Sequence, residues 1–394
     1  MKIETFEMER WQSRWENVVE YNLAESGVDP LTVEELLGGP EAVQELGRRQ
    51  MLYNQGNGTP ELRDLIAAIY PGAKRENVLV THGTCEANYL ATWRLVEPSD
   101  EIVVMLPNYM QIPGLARGFG GRVTPFHLRE DRGWAPDLDE LNRAVSPRTR
   151  LIAVCNPNNP TGSVLSEDAM NEIAAVARRA GAWLLADEVY QGAERSGETT
   201  PSFWGRYEKV IVNNGLSKAY GLPGLRIGWT VAPPDLIFEL WSYKDYTTIA
   251  ASVLSDLLAR RALEPAMRER IFARTRSILR RNYPLLEEWI KGHGADFSLV
   301  PPAAGAIAYL RYRHRINSSQ LMERCIREQS LLIVPGDHFG MDGFIRLNYG
   351  VPADHLHEGL NRLDRVLSTA EKVLGARTEA ADSTCGGIGS GQRC

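Results

Sequence analysis

Between residues 77 and 215 the chain repeatedly sets down a short apolar run, breaks it with turn-forming or polar residues, and resumes with a helix-like stretch. The runs are 77–81 (NVLVT), 101–106 (EIVVML), 151–155 (LIAVC), 182–186 (AWLLA) and 210–212 (VIV). They are mostly apolar without alternation, the pattern of strands covered on both faces, and helices between them predict a parallel sheet. In such sheets ligands collect beyond the carboxyl ends of the strands. Those ends carry His82-Gly83-Thr84-Cys85, Pro107-Asn108-Tyr109, Asn156-Pro157-Asn158-Asn159-Pro160-Thr161-Gly162, Asp187-Glu188 and Asn213-Asn214-Gly215-Leu216-Ser217-Lys218. A glycine–threonine loop, an aromatic, an asparagine loop, an acid and a lysine thus converge on one edge. The helix after the asparagine loop is expected to start at Ser166, with Glu167 and Asp168 in its first turn, and to end at Gly181.

Beyond residue 230 the pattern changes. A long amphipathic stretch over 265–292 precedes shorter alternating segments at 306–312, 331–334 and 344–349, which predict a second, smaller α+β domain that also recruits the first fifty residues. The tail over 375–394 is rich in Gly, Ser, Thr and Ala without apolar periodicity, and is expected to be disordered. Lys plus Arg number 44 against 50 Asp plus Glu, a net charge of -6, so no basic footprint for nucleic acid or an anionic membrane is present. No apolar stretch approaches the roughly 18 residues of a spanning helix, and Met1-Lys2-Ile3-Glu4 lacks the apolar core of a signal peptide. The five cysteines have no metal-type spacing. These features predict a cytoplasmic protein with reduced thiols.

Lys218 carries the chemistry. A lysine attacks a carbonyl only as the neutral amine, and an exposed amine titrates near about 10.4. Burial or a nearby cation lowers that value. Lys218 lies in Ser217-Lys218-Ala219-Tyr220-Gly221-Leu222-Pro223-Gly224-Leu225-Arg226-Ile227-Gly228, a loop too apolar for an ordinary solvated lysine. Gly83-Thr84-Cys85, between a strand and a helix, offers free backbone N–H groups to an anion.

The lysine segment resembles that of the fold-type-I, class I/II aminotransferases, which use pyridoxal phosphate. The resemblance extends from Tyr53 to Arg346 in the family's order and approximate spacing. It implies an aspartate-aminotransferase-like α/β fold: a large domain over 51–285 with a mostly parallel seven-stranded sheet between helices, and a smaller α+β domain from 1–50 and 286–374. Lys218 is then the catalytic residue, joined to the cofactor as a Schiff base and shuttling the substrate's Cα proton. Asp187, which alone reads as a turn cap, pairs with the pyridine nitrogen. Asn159 and Tyr190 meet the phenolic oxygen, and Tyr109 stacks on the ring. Gly83, Thr84, Cys85, Ser217 and Arg226 surround the phosphate, where Gly215 replaces a serine frequent in the family. Tyr53 reaches the phosphate of a partner subunit, implying a homodimer with shared active sites. Arg346, with Asn159 and Gly27, holds the substrate carboxylate.

The implied activity is amino transfer between an L-amino acid and a 2-oxo acid. The alternative keeps the cofactor but eliminates, replaces or cyclises at Cβ or Cγ, as in carbon–sulfur lyases and capreomycidine-synthase-like enzymes. The segment Asn22-Leu23-Ala24-Glu25-Ser26-Gly27-Val28 faintly resembles the latter, which places Glu25 or Asp29 against a cationic substrate side chain. A non-enzymatic effector domain lacks support, because no helix-turn-helix domain is added. A phosphate loop and a complete G-x-G-x-x-G are both missing, and His355-Leu356-His357 lacks the further ligands of zinc chemistry.

Overall fold

The main sheet is built from β1 (Val78–Thr81), β2 (Glu101–Leu106), β3 (Arg122–Arg129), β4 (Thr149–Cys155), β5 (Trp183–Asp187), β6 (Val210–Gly215) and β7 (Gly228–Val231). The computed structural model that defines them describes residues 2–384. The strands lie in the order β1-β7-β6-β5-β4-β2-β3, and the two residues Ala135–Pro136 extend the β3 edge as an eighth strand. From β3 across to β6 every pairing is parallel. β7 runs antiparallel to both β1 and β6.

Successive side chains of a strand point to opposite faces, and here both faces are apolar. Ile102, Val104, Leu151, Ala153, Leu185 and Ile211 share one buried cluster with Leu90 and Leu95 of the helix Gly83–Leu95. Val103, Met105, Ile152, Val154, Leu184 and Val212 belong to the opposite core, with Met170 and Ile173 of the helix Glu167–Ala180. Each of the Val, Leu, Ile and Met side chains among them contributes roughly 1.5–3 kcal/mol on burial. This double covering is why the runs do not alternate. The helix boundaries follow their local signals: Ser166 Oγ accepts from Ala169 N–H at 3.2 Å, and Gly181 closes the helix at φ 66°.

Two of the seven numbered strands lie outside the predicted runs. β3 (RVTPFHLR) alternates and contains Pro125, which this edge position tolerates. β7 follows the lysine loop directly, and its GWTV sequence gives little apolar length to detect.

The small domain has a four-stranded antiparallel sheet, Phe297–Leu299, Ile307–Tyr312, Phe344–Asn348 and Val334–Pro335 in spatial order. The N-terminal segment joins it. Tyr21–Asn22 pairs in parallel with Leu331–Leu332, and Trp11 Nε1 donates to the Ile333 carbonyl at 3.1 Å. The apolar run at 331–334 is therefore split between two pairings. Pro265–Gly292 forms one 28-residue helix. The last helix, Ala353–Thr384, continues through residues 375–384, where composition predicts disorder; the rest of that tail lies outside the described residues. Among the described residues no helix is long and apolar enough to cross a membrane.

Candidate active site

A cavity of about 370 Å³ opens at the carboxyl ends of the parallel strands. Asp187 and Cys155 from the strand ends, Asn88 from the helix behind them, and Thr84, Cys85, Ser217, Lys218 and Arg226 line its inner side. Tyr109, Asn159 and Tyr190 form a flank, and the N-terminal segment closes the remaining wall with Met8, Glu9, Gln12, Glu16, Glu25 and Ser26. The asparagine loop is held from within: Asn158 Oδ1 accepts from Thr161 N–H at 3.2 Å and from its hydroxyl at 2.8 Å, and Asn156 Oδ1 accepts from Leu165 N–H at 2.9 Å.

Asp187 is buried, and burial raises its pKa above the usual carboxylate value. Three features oppose that rise: a 2.9 Å hydrogen bond from Asn88 Nδ2 to Oδ2, a 3.1 Å bond from Val189 N–H to Oδ1, and the Lys218 charge. Lys218 shows the complementary effect. Burial lowers its pKa first of all, Arg346 and Arg226 lower it further, and Glu25 and Glu9 act against them. A lysine biased toward the neutral amine and a buried acid therefore share one cavity.

The end of the cavity nearest the helix Gly83–Leu95 suits an anion. Thr84 Oγ1 is buried without a hydrogen-bond partner, and the helix N-terminus adds free N–H groups and a favourable dipole. Gly83 has φ 78°, and a Cβ there would lie 2.8 Å from Arg226 Nη2. A Cβ on Gly228 would approach Gly83 C and Thr84 N to 2.4 Å. β7 and the helix terminus touch through bare backbone, and this brings Arg226 beside Ser217, with Nη1 3.5 Å from Oγ. A Cβ at Gly215 would come within 2.6 Å of Thr84 Oγ1, so a serine there would crowd the threonine hydroxyl.

Arg346 is fully buried behind the flank. Its Nη1 donates to Asn159 Oδ1 at 3.0 Å, its Nη2 to the Ala24 carbonyl at 2.5 Å, and its Nε has no partner. It does not line the open cavity. Tyr109 donates its hydroxyl to Glu9 Oε1 at 2.8 Å and packs edge-on against Phe6. Burial raises the Tyr190 hydroxyl above its usual range.

The structure separates the remaining candidates. Gly27 sits against the lysine loop, where a Cβ would lie 3.1 Å from the Ser217 carbonyl. Glu25 lines the cavity, but Asp29 does not: its Oδ2 is 3.4 Å from Arg274 Nη2, whose Nη1 also donates to the Asp29 carbonyl at 2.7 Å. Tyr53 is 92% exposed and away from its own chain's cavity. Asn88, Gln111, Glu9 and Glu16 are residues that sequence reasoning missed. Asn88 had a signal: it follows Thr84 by four residues, one helical turn, and so occupies the same helix face. Glu9 and Glu16 had none, because their placement depends on a 300-residue return of the chain.

The chain belongs to the class I and II aminotransferase family, whose model matches residues 30–363. This family depends on pyridoxal phosphate, and the partnerless Thr84 hydroxyl, the glycine-lined contact beside Arg226 and the buried Asp187 fit that cofactor. The chain is 32% identical to capreomycidine synthase of Streptomyces vinaceus over 353 residues, covering 88% of this chain and 90% of that protein. It is 29% identical over 347 residues to an aspartate/prephenate aminotransferase of Thermus thermophilus, covering 84% and 88%. Among solved structures, a PLP-dependent aminotransferase from Streptococcus suis matches with a TM-score of 0.87 at 33% identity, over 94% of this chain and 99% of that one. The PLP-dependent cyclase OrfR matches with a TM-score of 0.85 at 27% identity, over 94% and 98%.

Proposed function

We propose that the protein is a pyridoxal-phosphate enzyme acting on an L-amino acid with a cationic side chain, and that its net reaction is loss of a Cβ substituent followed by ring closure. The acidic wall carries the substrate class. Glu9, Glu16 and Glu25 face the cavity together, and among the described lining residues the only cations are Lys218 and Arg226. Burial raises the Glu16 pKa, and the charges of Glu25 and Glu9 raise it further against the smaller opposing pull of Lys218, as expected for carboxylates held close together. A substrate guanidinium or ammonium relieves that repulsion, whereas the distal carboxylate of aspartate meets it. The 32% identity to capreomycidine synthase and the likeness to the cyclase OrfR support the reaction type.

When bound, pyridoxal phosphate supplies the electron sink that lets a Cα–H bond break. The chain's own groups do the rest. Thr84, Ser217, Arg226 and the N–H groups following Gly83 would hold the phosphate, Asp187 would pair with the ring nitrogen, Tyr109 would lie against the ring, and Asn159 and Tyr190 would hydrogen-bond its phenolic oxygen. Arg346, with Asn159 and the Gly27 backbone, orients the substrate carboxylate. Lys218 takes the Cα proton. A Cβ hydroxyl leaves with a proton as water, a side-chain nitrogen adds to Cβ and gives up its proton, and Cα is reprotonated. The sum is substrate to cyclic product plus water. Tyr53 supports a homodimer with shared sites, since it is exposed beside Met51 and Leu52 in a surface groove with Ala250, Ala251 and Val253.

The second reading is amino transfer on the same cationic donor, favoured by the aminotransferase relatives. Incubating holoenzyme with L-arginine, β-hydroxy-L-arginine or L-aspartate, without a 2-oxo acid, separates the two. Conversion of β-hydroxy-L-arginine to a product lighter by one water supports cyclisation. Conversion of the cofactor to its pyridoxamine form, reversed by a 2-oxo acid, means amino transfer. Faster turnover of L-aspartate than of either basic substrate would sink the substrate class. Replacing Glu25 or Glu16 by Gln is expected to raise KM for the basic substrate about tenfold, the scale of one charge-assisted contact.

A further inference from the structure

Behind Asp187 lies a line of buried polar side chains, a threonine hydroxyl and two asparagine amides. Thr230 Oγ1, on β7, donates to Asn213 Oδ1 at 2.7 Å; Asn213 Nδ2, on β6, donates to Asn88 Oδ1 at 2.8 Å; Asn88 Nδ2, on the helix, donates to Asp187 Oδ2 at 2.9 Å. Asn213 and Thr230 are fully buried and Asn88 is 1% exposed. Every donor points toward the carboxylate. Gln111 steadies the last link: its Oε1 lies 3.4 Å from Asn88 Nδ2, while its Nε2 donates to the Cys85 carbonyl at 2.8 Å. Donors chained in one direction polarise one another, and a buried, dry site strengthens the final bond.

We infer that Asn88 is a positioning residue, the end of a Thr230–Asn213–Asn88 relay that holds Asp187 ionised and aimed at the cofactor's ring nitrogen. The inference rests on the reading that Asp187 meets that nitrogen. A buried carboxylate left with only Val189 N–H would favour its protonated form, and a protonated acid cannot balance a ring cation. The titratable groups facing Asp187 are Lys218 from the lysine loop, Glu188 and Tyr190 from its own loop, Cys155 from β4 and Cys85 from the helix. Of these only Lys218 favours the carboxylate, and burial weakens its charge. The relay therefore supplies the largest neutral support for ionisation.

The test compares binding of pyridoxal phosphate with that of its 1-deaza analogue, in which the ring nitrogen is a C–H group, to apoenzyme of the full chain. Wild type is expected to prefer the natural cofactor. Asn88→Ala is expected to weaken pyridoxal phosphate binding about tenfold while leaving the analogue's affinity unchanged, and Asn88→Ser, which retains a donor, to recover part of the loss. Thr230→Val keeps shape and lies outside the cavity; it is expected to give a smaller selective loss, so the inference remains testable if Asn88→Ala folds poorly. Equal losses for both ligands, or no loss in either Thr230→Val or Asn88→Ala, would overturn the relay. A wild type that binds both ligands equally would instead overturn the Asp187 pairing beneath it.

Discussion

Asp187 and Glu188 are adjacent acids with different surroundings, and the difference is chemical. Asp187 faces a cavity, an amide donor and a lysine. Glu188 faces protein only: its Oε1 accepts from Phe203 N–H at 2.7 Å and Ser202 Oγ at 3.0 Å, and its Oε2 has no partner. Burial pushes its pKa up to about 8, against the pull of those two bonds. The folded state thus holds a proton that the unfolded chain releases near its ordinary carboxylate value. The stabilisation is present below about 4.5 and is lost as pH rises toward 8, with a slope of up to about 1.4 kcal/mol per pH unit. Glu188→Gln keeps the acceptor and removes the proton. Its melting temperature should therefore fall less than that of wild type between pH 5 and pH 8, as scanning calorimetry would show; parallel curves would mean Glu188 is ionised throughout.

At the scale of elements, the contact between β7 and the helix Gly83–Leu95 fixes the anion end of the cavity. Gly228→Ala forces a Cβ into Gly83 and Thr84 backbone at 2.4 Å, where no flexible side chain can give way. Overpacking of this kind costs about 1–3 kcal/mol, and the variant should lose both thermal stability and retention of pyridoxal phosphate on gel filtration. Retention equal to wild type would mean this contact does not shape the phosphate site. The contact also marks where sequence reading stops. The apolar runs, the Ser166 cap and the Gly181 stop are local, so β1, β2, β4, β5, β6 and the helix Glu167–Ala180 were legible. β7 was hidden, because two of its four residues are Gly and Thr and its partners lie some 150 residues away on one side. The lysine, the acid and the asparagine loop announced themselves by sitting at strand ends. Glu25 was reached only through the likeness of residues 22–28, and Glu9 and Glu16 not at all, since nothing local says that a charged amphipathic helix will close a cavity made by residues 84–226.

For the molecule as a whole, the exposed run Met51, Leu52 and Tyr53 predicts a subunit interface through which Tyr53 enters the neighbouring site. Leu52→Glu should yield monomers by sedimentation. A sharper check mixes two inactive variants, Lys218→Ala and Tyr53→Ala. If sites are shared, each hybrid dimer has one site with both residues intact, and activity returns on mixing; silence after proven subunit exchange would remove Tyr53 from the site.

The bond from Arg346 to the Ala24 carbonyl joins residues 322 positions apart. During synthesis, at about 5–20 residues per second, the segment carrying Glu9, Glu16 and Glu25 waits roughly 16–64 s for its dock to be made. Over the last 128 residues of that interval, from Lys218 to Arg346, the lysine loop and the asparagine loop already exist without their docked outer wall. A nascent chain stalled before residue 346 is thus a half-built site, open to water and to whatever aldehydes the ribosome's surroundings contain, and specificity for the substrate arrives only with the last quarter of translation.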